Sequence, residues 1–129
     1  MSLLILSLLI ACLFPPLSKL PAVFVLQKQP GGYDNHTPRA QQKALTGFGA
    51  RAIAAHYNSY ESLLFFACGV LTALSTHHDS TSIQSLAIAY LASRLLYHVL
   101  YLMDYATLRS LVWTISTLCP LSMIYLCLF

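Results

Sequence analysis

Charge is what this sequence has least of. Only 9% of its 129 residues are Asp, Glu, Lys or Arg, where soluble domains carry about a quarter, and that scarcity excludes a water-soluble globule. Seven Lys and Arg against four Asp and Glu are too few positive groups to neutralise a nucleic-acid backbone, so no nucleic-acid partner is expected. Paired cysteines are missing as well. Cys12, Cys68, Cys119 and Cys127 lie far apart in apolar runs without C-x-x-C spacing, and they read as small packing residues rather than disulfide or metal ligands. No two histidines stand at i, i+4, and no Ser or Cys shares a helical face with both a His and an acid. Neither a helical zinc site nor a catalytic triad is expected. Nor is there an internal repeat or low-complexity tract, so residues 1–129 read as one domain.

What is present is apolar: 57% of the chain is hydrophobic. Crossing about 30 Å of hydrocarbon takes about 20 apolar residues as helix, and four runs approach or exceed that length, at about 2–26, 48–75, 83–102 and 108–129. The first run has no positive n-region and stays apolar past Cys12 to Leu26, so it reads as a span rather than a cleaved signal. Between the first two runs, Pro30-Gly31-Gly32-Tyr33-Asp34-Asn35 is turn chemistry, and Thr37-Pro38 reads as a helix N-cap with Pro at the first helical position, predicting an ordered loop. Lys28, Arg39, Lys43 and Arg51 cluster there. The positive-inside rule therefore puts the 27–47 loop and the 103–109 connection in the cytoplasm, with both termini and His77-His78-Asp79 external. Asn35-His36-Thr37 matches a glycosylation sequon, which a cytoplasmic loop leaves unmodified.

Ionisable residues at bilayer depth are costly and mark a function or a compensating partner. At 100° per residue Arg51, Asn58 and Glu61 share one sector of the second span, with Ala54 and Ala55 between them. On the third span Tyr90, Arg94, Tyr97, His98, Tyr101, Asp104 and Tyr105 line one face. The depths agree: Glu61 lies about 15 Å beyond Arg51, and Arg94 about 15 Å in from Asp104, which predicts a Glu61–Arg94 ion pair near the midplane. Such pairs and tyrosines can simply hold a bundle together. Against that reading, Arg51, Arg94 and Arg109 outnumber Glu61 and Asp104, and an anionic ligand would balance them. Arg109 and Ser110 are expected to open the fourth span, where free backbone N–H groups and the helix dipole favour an anion. The competing role for Arg109 is an interfacial anchor.

These residues resemble a known group. Ala55-His56-Tyr57-Asn58-Ser59-Tyr60-Glu61 looks like the second-helix signature of MAPEG proteins, the membrane-associated proteins in eicosanoid and glutathione metabolism. Arg94-x-x-Tyr97-x-x-x-Tyr101 followed by Arg109-Ser110 looks like that family's third and fourth helices, and Gly31-Gly32-Tyr33-Asp34-Asn35 leading to Pro38-Arg39 is similar to its short bacterial members. The resemblance implies an all-α, four-helix integral membrane bundle in a bacterial inner membrane, assembled as a homotrimer. It implies glutathione as co-substrate between subunits on the cytoplasmic side, with a lipophilic second substrate entering from membrane lipid. By position, Asn58 and Glu61 would hold the peptide's polar groups, Arg94, Tyr97 and Tyr101 would line the cleft, Arg109 would stabilise the thiolate, and Ser110 would touch the thiol. Ala54 stands where many members carry Arg. Arg51, on the same face one turn earlier, matches a second family arginine. The implied activity is a glutathione-dependent transferase or peroxidase. The alternative is a non-catalytic protein binding lipid or a partner through the same cleft.

Overall fold

The computed structural model describes residues 1–129 and is all-helical, without a strand. Helix α1 spans Ser2–Ser18 and α2 Leu20–Gln27, meeting end to end at Lys19. The short α3 is Pro38–Lys43, and the long α4, α5 and α6 are Gly47–Ser75, Thr81–Leu102 and Ala106–Leu126. By length and apolarity alone, two rods qualify to cross a bilayer: Ser2–Gln27 and Thr81–Leu102. Helices α4 and α6 have the length, at 29 and 21 residues, but are not among the two that qualify. Large side chains such as Leu64, Leu95, Leu111 and Leu118 point outward at half or more of their area. That surface suits hydrocarbon rather than water.

Helix α1 runs through Pro15 and Pro16 to Ser18, and the break falls at Lys19, just before Pro21, whose missing N–H leaves the Leu17 carbonyl to the Lys19 N–H. The carbonyl of Pro15, released from the helical ladder, accepts a hydrogen bond from Ser18 Oγ at 2.8 Å and lies 2.9 Å from His56 Nδ1 on α4. Since a carbonyl only accepts, Nδ1 carries the proton, and the buried His56 holds the bend. Away from this bend, Leu4, Phe66, Val70, Ala73, Ile83, Ala87 and Met123 form a core shared by α1, α4, α5 and α6. There α4 and α6 meet at Gly69, whose absent side chain is required: a Cβ would sit 3.1 Å from Pro120 Cα.

The 27–47 loop is ordered, as its turn chemistry predicts. Gly31 and Gly32 adopt φ of +85° and +73°, which glycine adopts without strain. Gln41 Nε2 donates to the Gly32 carbonyl at 2.7 Å. Thr37 is the N-cap of α3 with Pro38 behind it, but its hydroxyl donates to Asp34 Oδ2 instead of capping the helix. That hydroxyl, with the backbone N–H groups of Thr37 and His36, holds the Asp34 carboxyl below its ordinary range. The four cysteines are free. Cys119 is buried in the core as expected, whereas Cys12 and Cys68 lie on the outer surface.

Candidate functional site

Helices α5 and α6 bring four of the candidate residues together. Tyr97, Tyr101, Arg109 and Ser110 line one cleft of about 220 Å³, with Trp113 as a fifth wall. The sequence reading missed Trp113, although it stands one turn after Arg109 on the same face. The cleft is the open end of an alternating ladder. The Arg94 guanidinium lies 4.3 Å from the Tyr97 ring centre, Tyr97 meets Tyr101 edge to face at 5.6 Å, and the Arg109 guanidinium lies 4.1 Å from the Tyr101 ring. Each cation faces the negative side of a ring.

The closed end of the ladder replaces the expected ion pair. Arg94, 3% exposed, donates through Nη2 to Asn58 Oδ1 at 2.9 Å and to the Asn58 carbonyl at 3.4 Å. The Asn58 amide donates in turn to Glu61 Oε2 at 3.1 Å. Arg94 and Glu61 are therefore linked through Asn58 and form no salt bridge. Asn58, one turn closer to Arg94's level, is met first, while Glu61 is left exposed. Arg94 Nη1 is buried without a partner.

The remaining candidates separate. Arg51 leaves the Asn58–Glu61 group for the edge of the bundle, where its Nη1 lies 3.4 Å from Asp104 Oδ2 and its Nε donates to the Leu102 carbonyl. Asp104 reaches it from the left-handed turn, φ +68°, between α5 and α6. Tyr90 belongs to the core rather than to the cleft: its ring stacks on Phe66 at 3.9 Å and its hydroxyl meets Ser62 Oγ at 2.9 Å. Arg109 and Ser110 do not open α6, which starts at Ala106. The Arg109 N–H already donates to the Tyr105 carbonyl at 2.9 Å, so its guanidinium, not a free backbone donor, faces the cleft. Ser110 Oγ donates to the Ala106 carbonyl at 3.0 Å, leaving its lone pairs toward the cleft.

The four side-chain carboxylates all have partners: Asp34 in its turn, Glu61 by Asn58, Asp79 by Gln84 and the Met1 amino group, and Asp104 by Arg51. None forms a salt bridge with Arg109. Long apolar rods and a lipid-suited surface define a helical membrane protein, and Arg109 stands in its polar cleft without a carboxylate partner. The profile of the MAPEG family matches residues 3–129, essentially the whole chain, and the protein belongs to that family. No curated protein and no solved structure gives a significant match.

Proposed function

We propose that the protein is a membrane-bound, glutathione-dependent transferase or peroxidase acting on lipophilic substrates. The observation that carries this reading is the Arg109 guanidinium at the mouth of the aromatic ladder, beside Ser110, in a cleft without a carboxylate. A cation held there stabilises a thiolate relative to the thiol, and the thiolate is the nucleophile. In conjugation its sulfur attacks an electrophilic carbon, either adding to it or expelling a leaving group from it. In peroxide reduction it attacks one oxygen of the O–O bond, the other leaves as alkoxide and takes a proton to become the alcohol, and a second glutathione converts the resulting sulfenic acid to the disulfide and water. Tyr97, Tyr101 and Trp113 supply flat apolar walls, and the Ser110 lone pairs can accept a hydrogen bond from the thiol before it ionises. Asn58 and Arg94 act behind this surface by holding Tyr97, and Arg51 and Glu61 stand at its margins for the peptide's charged ends.

A cleft of about 220 Å³ falls short of the ~300 Å³ at which ligand pockets begin, and it opens outward. A neighbouring copy supplies the missing wall in a homotrimer, with all four rods crossing the bilayer and lipophilic substrate arriving from the hydrocarbon. The orientation that fits puts the 27–47 loop and the 103–109 turn in the cytoplasm, both termini outside. Reporter fusions after Gly47 and Asp104 should read as cytoplasmic and those after His78 and Phe129 as external; an external Gly47 fusion overturns the orientation.

A second reading, a binder of lipid or a partner without catalysis, is favoured by Ala54, which removes a guanidinium many relatives carry. Adding glutathione to detergent-purified protein at neutral pH separates the two. The enzyme reading expects the ultraviolet thiolate band together with turnover of a lipophilic electrophile. Folded protein that produces neither leaves the binder.

A further inference from the structure

A second cavity, of about 480 Å³, lies where the α1–α2 bend, α3 and α4 meet, lined by Lys19, Arg39, Gln42, His56, Tyr57 and Tyr60. On α4, His56 and Tyr60 point roughly opposite to Asn58, so this cavity is separate from the α5–α6 cleft. We infer that it binds a phosphate-bearing group, with Lys19 and Arg39 as the charged contacts and Tyr60 as a hydroxyl donor.

Three observations converge. Lys19 lies inside the apolar rod, eight residues and about 12 Å from its loop-side end, where an unanswered ammonium is costly. The His56–Pro15 contact fixes the bend at which Lys19 stands, so the ammonium is presented by a rigid joint rather than by a frayed end. The salt bridges of the chain are Met1–Asp79 and Arg51–Asp104, so neither Lys19 nor Arg39 has a carboxylate partner within it. An ammonium, a guanidinium fork and a phenol reach this cavity from three separate elements, a spread of donors that the several oxygens of a phosphate can meet together. The volume leaves room for an esterified substituent. At this depth that phosphate belongs either to an anionic lipid headgroup or to a soluble phosphate compound.

The inference does not rest on glutathione chemistry, and its test uses none. Purified full-length protein in mixed micelles is titrated with phosphatidylglycerol, with diacylglycerol of the same chains, and with inorganic phosphate, reading the melting temperature and the lipid retained in native mass spectra. Phosphatidylglycerol should raise the melting temperature and diacylglycerol should not. A matching rise with inorganic phosphate assigns the site to soluble phosphates, and a rise with the lipid alone assigns it to headgroups. Lys19→Met and Arg39→Gln should each weaken binding roughly fivefold, while Lys28→Gln and Lys43→Gln, at exposed lysines outside the cavity, should not. Arg39 is exposed on α3, so its variant tests the site even if Lys19→Met fails to fold. No stabilisation by either phosphate probe, equal binding by the Arg39→Gln variant, or equal loss in the lysine controls overturns the inference.

Discussion

Arg94 and Arg109 stand at the two ends of one aromatic ladder, yet their surroundings differ in kind. Arg94 is buried, and α4 answers it with two Asn58 oxygens on one side and α5 with the Tyr97 ring on the other. Arg109 has a Tyr101 ring beneath it, a cleft in front and no carboxylate in reach. The same side chain is thus enclosed where a neighbouring helix closes over it and open where the bundle leaves a cleft, and it is the open one to which the proposed function gives the chemistry. What differs is the number of acceptors the fold supplies, since guanidinium charge is constant at any physiological pH.

The sharpest way to break this comparison is to remove each charge in turn. Arg109→Ala is expected to lower turnover with glutathione on the order of 100-fold, with a much smaller change in glutathione affinity, because the lost donor acts on the charge of the reacting sulfur. Arg109→Lys should recover only part of it. Steady-state kinetics with the ultraviolet thiolate band checks both, and a variant that shifts only thermal stability returns Arg109 to the role of interfacial anchor.

At the other end the expected loss is of folding. Asn58→Leu strands the buried guanidinium, a defect worth about 3–5 kcal/mol in soluble interiors and less where water reaches into the bilayer. A double-mutant cycle on detergent melting should show strong coupling between Asn58→Leu and Arg94→Leu. Glu61→Gln and Arg94→Leu should be nearly additive, since Asn58 stands between them. Strong direct coupling of Glu61 with Arg94 would restore the ion pair that depth matching suggests. The smallest effect belongs to Arg51–Asp104, whose Asp104 side chain is 67% exposed. Breaking that pair with Asp104→Asn should cost about 0–1 kcal/mol and vanish at high salt.

Much of this was legible because helical period and depth are linear in residue number. Asn58 with Glu61 on α4, Arg94 with Tyr97 and Tyr101 on α5 and the ordered Gly31–Thr37 loop follow from the 3.6-residue repeat and turn chemistry. The grouping of Tyr97 and Tyr101 with Arg109 and Ser110 follows from the family resemblance, and His98, read on the same stripe, lies instead against α1 and α2. Three things were not legible. The start of α6 carries no side-chain cap, so Arg109 looked like a first-turn residue when it already lies one turn in. Tyr90 shares the stripe with Tyr97 but lies a further two turns into the bundle, at the level where Phe66 closes the core. Trp113 reads as another apolar residue of a span until α5 is placed beside it.

Residue order and periodicity alone settled the class of the molecule: the near absence of charge forces hydrocarbon on its surface. Partnership was decided only in three dimensions. Whether Arg94 meets Glu61 or Asn58, whether Arg109 is quenched or open, and whether Lys19 faces Arg39 depend on differences of a single turn, about 5.4 Å, in how rods slide against each other. Packing at contacts such as Gly69 against Pro120 sets that register, and a hydrogen bond is lost over a far smaller shift.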